Sequence, residues 1–202
     1  MTLLADFVAN GPLLVDTVPT EKAQEIIYVR GMGLLEWTTV AGVGAFTGYR
    51  SPDVGRLVFG TTTTPRVCEL DIIGGLAPKA AYASLWAWAQ QQGHVVTVAA
   101  WTTKVFKFAD VDDNYFRLPD LRDMSPRFTG TNADTSAARL IGSYQADAFK
   151  AHTHGLPYGE TNGSVNASLG LTNTPLATGN TNPTGATETR PANTAFAPRI
   201  RI

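Results

Sequence analysis

The chain has 202 residues, of which 44% are hydrophobic and 16% are charged, and its net charge at pH 7 is −1. The length suits one or two domains with a packed core, and the absence of a basic patch speaks against binding to nucleic-acid phosphates. The charged fraction lies below the roughly 25% of an average soluble domain. A low value is expected where part of the surface is buried against partner chains, or where the surface is rich in neutral polar side chains.

Residues 1–25 mix apolar positions with Asn10, Gly11 and Pro19, and they predict a short helix or an extended arm. The first 15 residues lack the positively charged start of a signal peptide, and no stretch reaches the roughly 18 apolar residues of a transmembrane helix. With one cysteine, Cys68, the chain cannot form an internal disulfide. We therefore expect synthesis in the cytoplasm, with no membrane insertion and no dependence on an oxidising compartment.

The next residues predict a small β-module. Three short runs rich in β-branched and aromatic residues, 26–29, 34–40 and 45–49, are separated by glycines. Ser51-Pro52-Asp53 predicts a turn, and residues 56–59 begin another strand. We therefore place a domain boundary after residue 54, which gives an N-terminal region at 1–54 and a second domain at 55–202.

One helix is predicted over residues 78–91. Pro78 lies where a helix would begin, apolar side chains follow at helical spacing, and Gly93 ends the run. Trp86 and Trp88 are expected to pack this helix onto a sheet rather than to bind a ligand.

β-type residues resume over 94–118, so the chain predicts a mainly β fold with one short helix (α+β). Residues 110–114 are rich in Asp, but their spacing does not match an EF-hand and no Glu closes the loop. A turn whose Asp and Asn side chains hydrogen-bond to the local backbone is the better interpretation. His94 is separate from the other two histidines and is interpreted as structural.

Residues 155–187 differ in composition from the rest of the chain. Twenty-three of these 33 residues are Gly, Asn, Thr, Ser or Pro, and Glu160 is the only charged one. Such a stretch cannot bury a core of its own. We expect a disordered loop if the chain is a monomer, and order against its copies or against a ligand if the chain is an oligomer.

No pattern in the sequence predicts catalysis. Ser143, His152 and Asp147 are the residue types of a hydrolase triad, yet no G-x-S-x-G turn surrounds a serine. The chain contains no P-loop, G-x-G-x-x-G or H-E-x-x-H sequence. A glycosidase needs two carboxylates across a cleft, and a chain of this size contains candidates by chance, namely Glu69, Asp71, Asp120 and Asp123. We therefore expect that the protein is not an enzyme.

His152-Thr153-His154 is the sharpest chemical signal. In an extended strand the two imidazoles point to the same side. Two ligands are too few for a structural zinc site, but three copies around a threefold axis would supply six nitrogens, which suits an octahedral transition metal. The alternative is a pair of ordinary surface histidines, and the pattern alone favours that alternative.

From Gly55 onwards the sequence resembles the phage tail-collar family, which includes tail-fibre tips and short tail fibres. Three motifs in the family's order carry the resemblance, together with an opening strand and a helix: FRLPDLR (116–122), GSYQADAFKAHTH (142–154), ETRPANTA (188–195), GRLVFG (55–60) and AAYASLWAW (80–88). The chain departs from the family at Asp123, where the first motif usually continues with Gly. It departs again at residues 71–75, where an Asp-Gly or Asn-Gly turn often precedes the helix.

The resemblance implies a tail-collar fold in an intertwined homotrimer with an extended polar insertion. In related fibre tips H-x-H pairs from three chains bind a metal, so the resemblance implies that His152 and His154 hold a transition-metal ion, iron or zinc, on the trimer axis. The motif residues are expected to be structural, with core side chains and with charged side chains that pair within or between chains. These residues are Phe116, Arg117, Leu118, Pro119, Asp120, Leu121, Arg122, Gln145, Glu188, Arg190 and Asn193.

The resemblance also implies that residues 155–187 are a variable insertion that projects distally and contacts a host surface glycan or protein. Its hydroxyl and amide side chains are adaptable hydrogen-bond partners, and three copies per fibre would raise the avidity of weak contacts. The candidate receptor-binding residues are Tyr158, Glu160, Asn162, Asn166, Asn173, Thr174, Asn180 and Asn182. The alternative is that this stretch only holds the trimer together.

Together these features predict a bacteriophage tail-fibre protein, located in the tail of the virion, whose region 1–54 attaches it to other tail or baseplate proteins. One alternative is a structural baseplate or fibre-attachment protein without receptor contact, because region 1–54 lacks a long fibrous shaft. Another alternative is a polysaccharide depolymerase.

Overall fold

The computed structural model describes residues 11–131, 139–146 and 193–202. The chain divides into two compact units, residues 1–145 with 195–202 and residues 146–194. Within the described residues the fold is mainly β with one short helix, as the sequence predicts. No helix in these ranges has both the length and the apolar character needed to cross a bilayer.

The N-terminal β-module is a four-stranded sheet in the order β1-β2-β3-β4. The predicted runs at 26–29, 34–40 and 45–49 all form strands, and residues 11–25 contain one short strand and no helix. The first two strands are parallel, and the other neighbours are antiparallel. The four strands are β1 (Leu13–Val15), β2 (Ile26–Val29), β3 (Gly33–Val40) and β4 (Phe46–Arg50).

Alternate side chains of this sheet form its own small core. Ile27, Val29, Leu35 and Tyr49 are buried on one face, and the edge of the Trp37 ring packs against the Tyr49 ring at a centroid distance of 5.0 Å. A two-residue repeat of this kind is what buries one face of a strand. The module therefore has apolar packing independent of the helix.

The rest of the compact unit contains two further sheets and the helix. One sheet has the order β7-β10-β9-β8, and the other has the order β5-β11-β6 with the C-terminal strand in its centre. The elements are β5 (Leu57–Gly60), β6 (Glu69–Asp71), β7 (Leu76–Pro78), α1 (Ala83–Gln91), β8 (Val95–Thr97), a 3-10 turn (Val98–Ala100), β9 (Phe108–Asp110), β10 (Tyr115–Arg117) and β11 (Ala197–Arg201).

The helix begins later than the sequence predicts. Pro78, predicted to start it, is the last residue of β7 and pairs with Tyr115, and α1 begins at Ala83. Proline is tolerated here because β7 is an edge strand and because the residue ends the strand. The predicted end is confirmed, since α1 stops at Gln91 and Gly93 adopts a φ of 65°, which glycine does readily.

The main core lies between α1 and the two C-terminal sheets. Leu85 and Ala89 of the helix are fully buried with Phe108 and Phe116 of the facing sheet. The Trp86 ring stacks on the Phe116 ring at 5.0 Å, and Trp88 meets Phe106 and Phe108 edge-on. This confirms that the two tryptophans pack the helix onto a sheet.

The helix also touches the N-terminal module. Arg50 Nη1 donates to Gln91 Oε1 at 2.9 Å, and Gln91 Nε2 donates to the Gly44 carbonyl at 2.7 Å. Gly44 lies so close to the helix that a Cβ added to it would come within 2.4 Å of the backbone oxygen of Ala87. Both sides of residue 54 therefore belong to one compact unit, and the boundary placed there stays a prediction.

Candidate functional site

The sequence-predicted metal and receptor sites lie outside the described residues. The residues concerned are His152, His154, Tyr158, Glu160, Asn162, Asn166, Asn173, Thr174, Asn180 and Asn182, together with the motif residues Glu188 and Arg190. The remaining motif residues lie within the described ranges.

The first motif, residues 116–122, is built into the core. Phe116 is fully buried, Leu118 is 4% exposed, Pro119 is buried and Leu121 packs against the same cluster. The backbone of the motif is bonded to residues 72–75, because Gly74 N–H donates to Pro119 O and Leu118 N–H donates to Gly75 O. The expectation that the apolar motif residues are core is confirmed.

The two departures from the family pattern lie at each end of this contact. Gly74 has a φ of 79°, so it supplies the left-handed conformation within residues 71–75. Asp123, which stands where the family usually has Gly, has a φ of 57°. Aspartate is one of the few other residues that enter this region at modest cost. Asp123 therefore occupies a backbone conformation that glycine adopts more readily.

Asp120 and Arg122 form an ion pair within the motif. Arg122 Nε donates to Asp120 Oδ1 at 2.9 Å, and Arg122 Nη2 donates to Oδ2 at 2.6 Å. These hydrogen bonds from Arg122 hold the pKa of Asp120 below its usual value, although burial opposes the shift. The Asp120 carboxyl is therefore ionised at neutral pH, and it does not have the raised pKa of a general acid.

A buried arginine cluster, which the sequence patterns did not predict, joins Arg199 to two other carboxylate candidates. Arg199 is 1% exposed, its Nε donates to Asp71 Oδ1 at 2.8 Å, and its Nη1 lies 3.6 Å from Glu69 Oε2. Thr62 accepts two more hydrogen bonds, from Nη1 to Oγ1 at 2.7 Å and from Nη2 to the carbonyl oxygen at 2.5 Å. Three of the four carboxylates considered for a glycosidase are thus bound to arginines.

The Asp-rich segment forms the predicted turn. Asp112 Oδ1 accepts hydrogen bonds from the backbone N–H groups of Asn114 and Tyr115, both at 2.8 Å. Lys79 Nζ pairs with Asp110 Oδ1 at 2.6 Å beside an open cleft of about 660 Å³. Among the described residues no group of three or more His, Cys, Asp or Glu side chains is placed to hold a metal.

His94 is packed between aromatic rings. Its ring centroid lies 5.5 Å from that of Trp88 and 5.2 Å from that of Phe106, and its Nδ1 is buried without a hydrogen-bond partner. Burial first, and then the charge of Lys107, lower the pKa of His94. The partly buried, neutral imidazole therefore packs against aromatic side chains, which fits the structural interpretation.

Two motif residues outside the first motif are described, and both are exposed. Gln145 Oε1 accepts a hydrogen bond from Arg139 Nη1 at 3.0 Å, and Asn193 immediately precedes the residues that lead into β11. Neither residue contributes to the buried core of the unit.

The sheets expose aligned apolar side chains. On the N-terminal sheet Leu14, Tyr28 and Leu34 lie opposite one another on three adjacent strands and are 56%, 43% and 50% exposed. On the next sheet Leu76 and Tyr115 share the outer face of β7 and β10. Phe59 and Phe196, with ring centroids 6.0 Å apart, remain largely exposed beside the third sheet. Apolar patches of this kind typically mark contacts with other molecules.

No protein-family model, curated protein or solved structure matches the chain.

Proposed function

We propose that the chain is a bacteriophage tail-fibre protein that assembles as a homotrimer in the tail of the virion and contacts the host through residues 155–187. The observation that carries the proposal is the set of apolar side chains aligned on the outer faces of the sheets. A single chain gains nothing from displaying such rows to water, whereas packed copies would remove them from water.

The alignment is stronger support than the exposure alone. Scattered apolar side chains are normal on a protein surface. Leu14, Tyr28 and Leu34, in contrast, form one continuous row because each is the register partner of the next. This row lies on the N-terminal module, so it also supports attachment of region 1–54 to another tail or baseplate protein.

Host contact is supported by the chain's composition and connectivity. Residues 155–187 contain one charged side chain and many hydroxyl and amide groups. The backbone on one side of this stretch is bonded to the compact unit where Phe106 N–H donates to Gly142 O, and on the other side β11 enters the sheet at Ala197. A polar segment held at both ends by a folded unit is a common arrangement for binding loops.

The metal is part of the same proposal. With three chains on one axis, His152 and His154 would supply six imidazole nitrogens to an iron or zinc ion, and metal binding would stabilise the trimer. Replacing both histidines by alanine is expected to remove the bound metal and to lower the temperature at which the trimer dissociates. Elemental analysis and native mass spectrometry of the same sample measure the two effects.

The host-contact step is tested by deleting residues 156–186 and measuring adsorption to susceptible cells. The deletion is expected to abolish adsorption while native mass spectrometry still shows a trimer. A matched variant that replaces the same residues with a Gly-Ser segment of equal length separates a loss of specific contacts from a loss of length. Undiminished adsorption by the deletion variant contradicts the receptor role, and a wild-type chain that remains monomeric contradicts the trimer.

A baseplate or fibre-attachment protein, which is the alternative, would lie inside the tail rather than at the distal end of a fibre. Antibody labelling of residues 155–187 on intact virions should mark the distal end of a fibre. Labelling that appears only after the tail is dissociated favours the purely structural role.

A further inference from the structure

Arg117 is a half-buried cation without an anion among the described residues of its own chain. Its guanidinium lies over the Trp101 ring, with Cζ 5.0 Å from the ring centroid. Its Nε is buried without a hydrogen-bond partner, and no carboxylate among residues 11–131, 139–146 and 193–202 pairs with it. An arginine side chain stays charged at any physiological pH, so the Arg117 guanidinium is able to pair with a carboxylate that reaches it.

The surroundings of Arg117 have the character of an interface. Leu76 is its register partner on β7 and is 54% exposed, and Tyr115, two residues earlier on β10, is 42% exposed. All three side chains therefore share the outer face of the sheet. Arginine and tyrosine beside exposed apolar surface is the composition enriched at the centre of protein interfaces.

The chain itself carries the complementary charge. Asp113 lies in the loop between β9 and β10, is exposed, and has no ion-pair partner among the described residues. Its two acidic neighbours are already engaged, because Asp110 pairs with Lys79 and Asp112 accepts the backbone hydrogen bonds of the turn. In a cyclic trimer each interface joins two different patches of the same chain, so a basic patch and an acidic loop on one hairpin can meet between copies.

We propose that Arg117 pairs with Asp113 of a neighbouring copy, with Leu76 and Tyr115 packed around the pair. This inference rests on the proposed homotrimer and adds its contact surface: the hairpin β9–β10 lies close to the threefold axis. The pair would be partly removed from water, so it also selects the orientation in which the copies assemble.

A charge exchange in the full-length chain tests the pairing. Arg117→Asp and Asp113→Arg should each raise the protein concentration at which half of the chains are trimeric by about tenfold or more, and the double variant should restore assembly. Native mass spectrometry and sedimentation over a dilution series measure this concentration. Arg56→Asp is the matched control, because Arg56 is exposed and pairs with Asp53 of its own chain.

Tryptophan fluorescence and circular dichroism of each variant check that the chain still folds. If Arg117→Asp does not fold, Arg117→Met removes the charge with a smaller perturbation and replaces it in the test. Weakened single variants with a restored double variant support the pairing. If the wild type is a trimer but the single variants assemble as tightly as the wild type, the pairing is overturned and the trimer is not. The same holds if the double variant does not recover the assembly of the wild type. A wild type that is monomeric at all concentrations overturns the trimer and the pairing together.

Discussion

Replacing Arg199 by methionine should cost more stability than any other single change to a charged residue in the compact unit. The guanidinium is 1% exposed and serves Asp71, Glu69 and Thr62 at once. The two acids differ in their access to water, since the Asp71 side chain is 32% exposed and that of Glu69 is 6% exposed. Asp71 can turn to water, whereas Glu69 would be left as a buried unpaired charge, so the loss should be about 3–5 kcal/mol.

Equilibrium unfolding in urea, followed by tryptophan fluorescence, measures this loss. The ranking is a sharper test than the absolute value: Arg199→Met should cost most, Asp71→Asn should cost about 1–2 kcal/mol, and the exposed control Arg56→Met should cost less than about 1 kcal/mol. Replacing Arg199 by Met and Glu69 by Leu together should recover part of the loss, because no buried charge is then left unpaired. If Arg199→Met lowers the free energy of unfolding by no more than Arg56→Met, the buried ion pair does not hold β11 in the sheet.

Three further changes have defined outcomes. The free energy of unfolding should fall as the pH drops from 7 to 5. The pKa of His94 is lowered in the folded chain, whereas a histidine in the unfolded chain has a pKa of about 6.5, so the unfolded chain takes up the proton first. His94→Phe should remove this pH dependence, which urea titrations at each pH measure. Gly55→Ala should cost about 3 kcal/mol in thermal unfolding, because φ is 84° and the new Cβ would lie 2.2 Å from the Trp88 ring. Asp112→Ala should cost about 1–2 kcal/mol by the same measurement, since two backbone N–H groups lose their acceptor.

Local patterns predicted the local structure well. Short runs of β-branched and aromatic residues separated by glycines indicated three of the four strands of the N-terminal sheet, and apolar spacing with Gly93 indicated the helix and its end. The start of the helix was misplaced because Pro78 suits two positions, the first turn of a helix and the end of an edge strand. Only the pairing of β7 with β10 decides between them, and that pairing joins segments separated by the whole of α1, β8 and β9.

The buried arginine cluster escaped prediction for a related reason. Arginine is almost never fully buried unless it is paired, so Arg199 near the C-terminus has the pattern of a surface residue. Its partners Thr62 and Asp71 lie 137 and 128 positions earlier in the chain. The sequence did contain a signal for this pairing. Arg199 and Arg201 alternate with apolar residues, and Glu69 and Asp71 have the same i and i+2 spacing, so each pair would lie on one face of a strand. The proposed metal site would require three chains around one axis, and the spacing of residues within one chain does not specify contacts between chains.

The central position of β11 leads to a prediction about the insertion. β11 fills the centre of the sheet β5-β11-β6, so along the chain residues 146–194 connect this strand to the rest of the compact unit. If a connecting segment of n residues is unstructured, bringing its two ends together costs entropy that grows as (3/2)RT ln n. Deleting residues 156–186 shortens this segment of 49 residues to 18, which should stabilise the compact unit by about 1 kcal/mol. Urea unfolding of the deletion variant, at a concentration where the chain is monomeric, measures the change. A loss of stability instead would show that the segment packs onto its own chain, and its polar side chains would then serve the fold before they serve a host receptor.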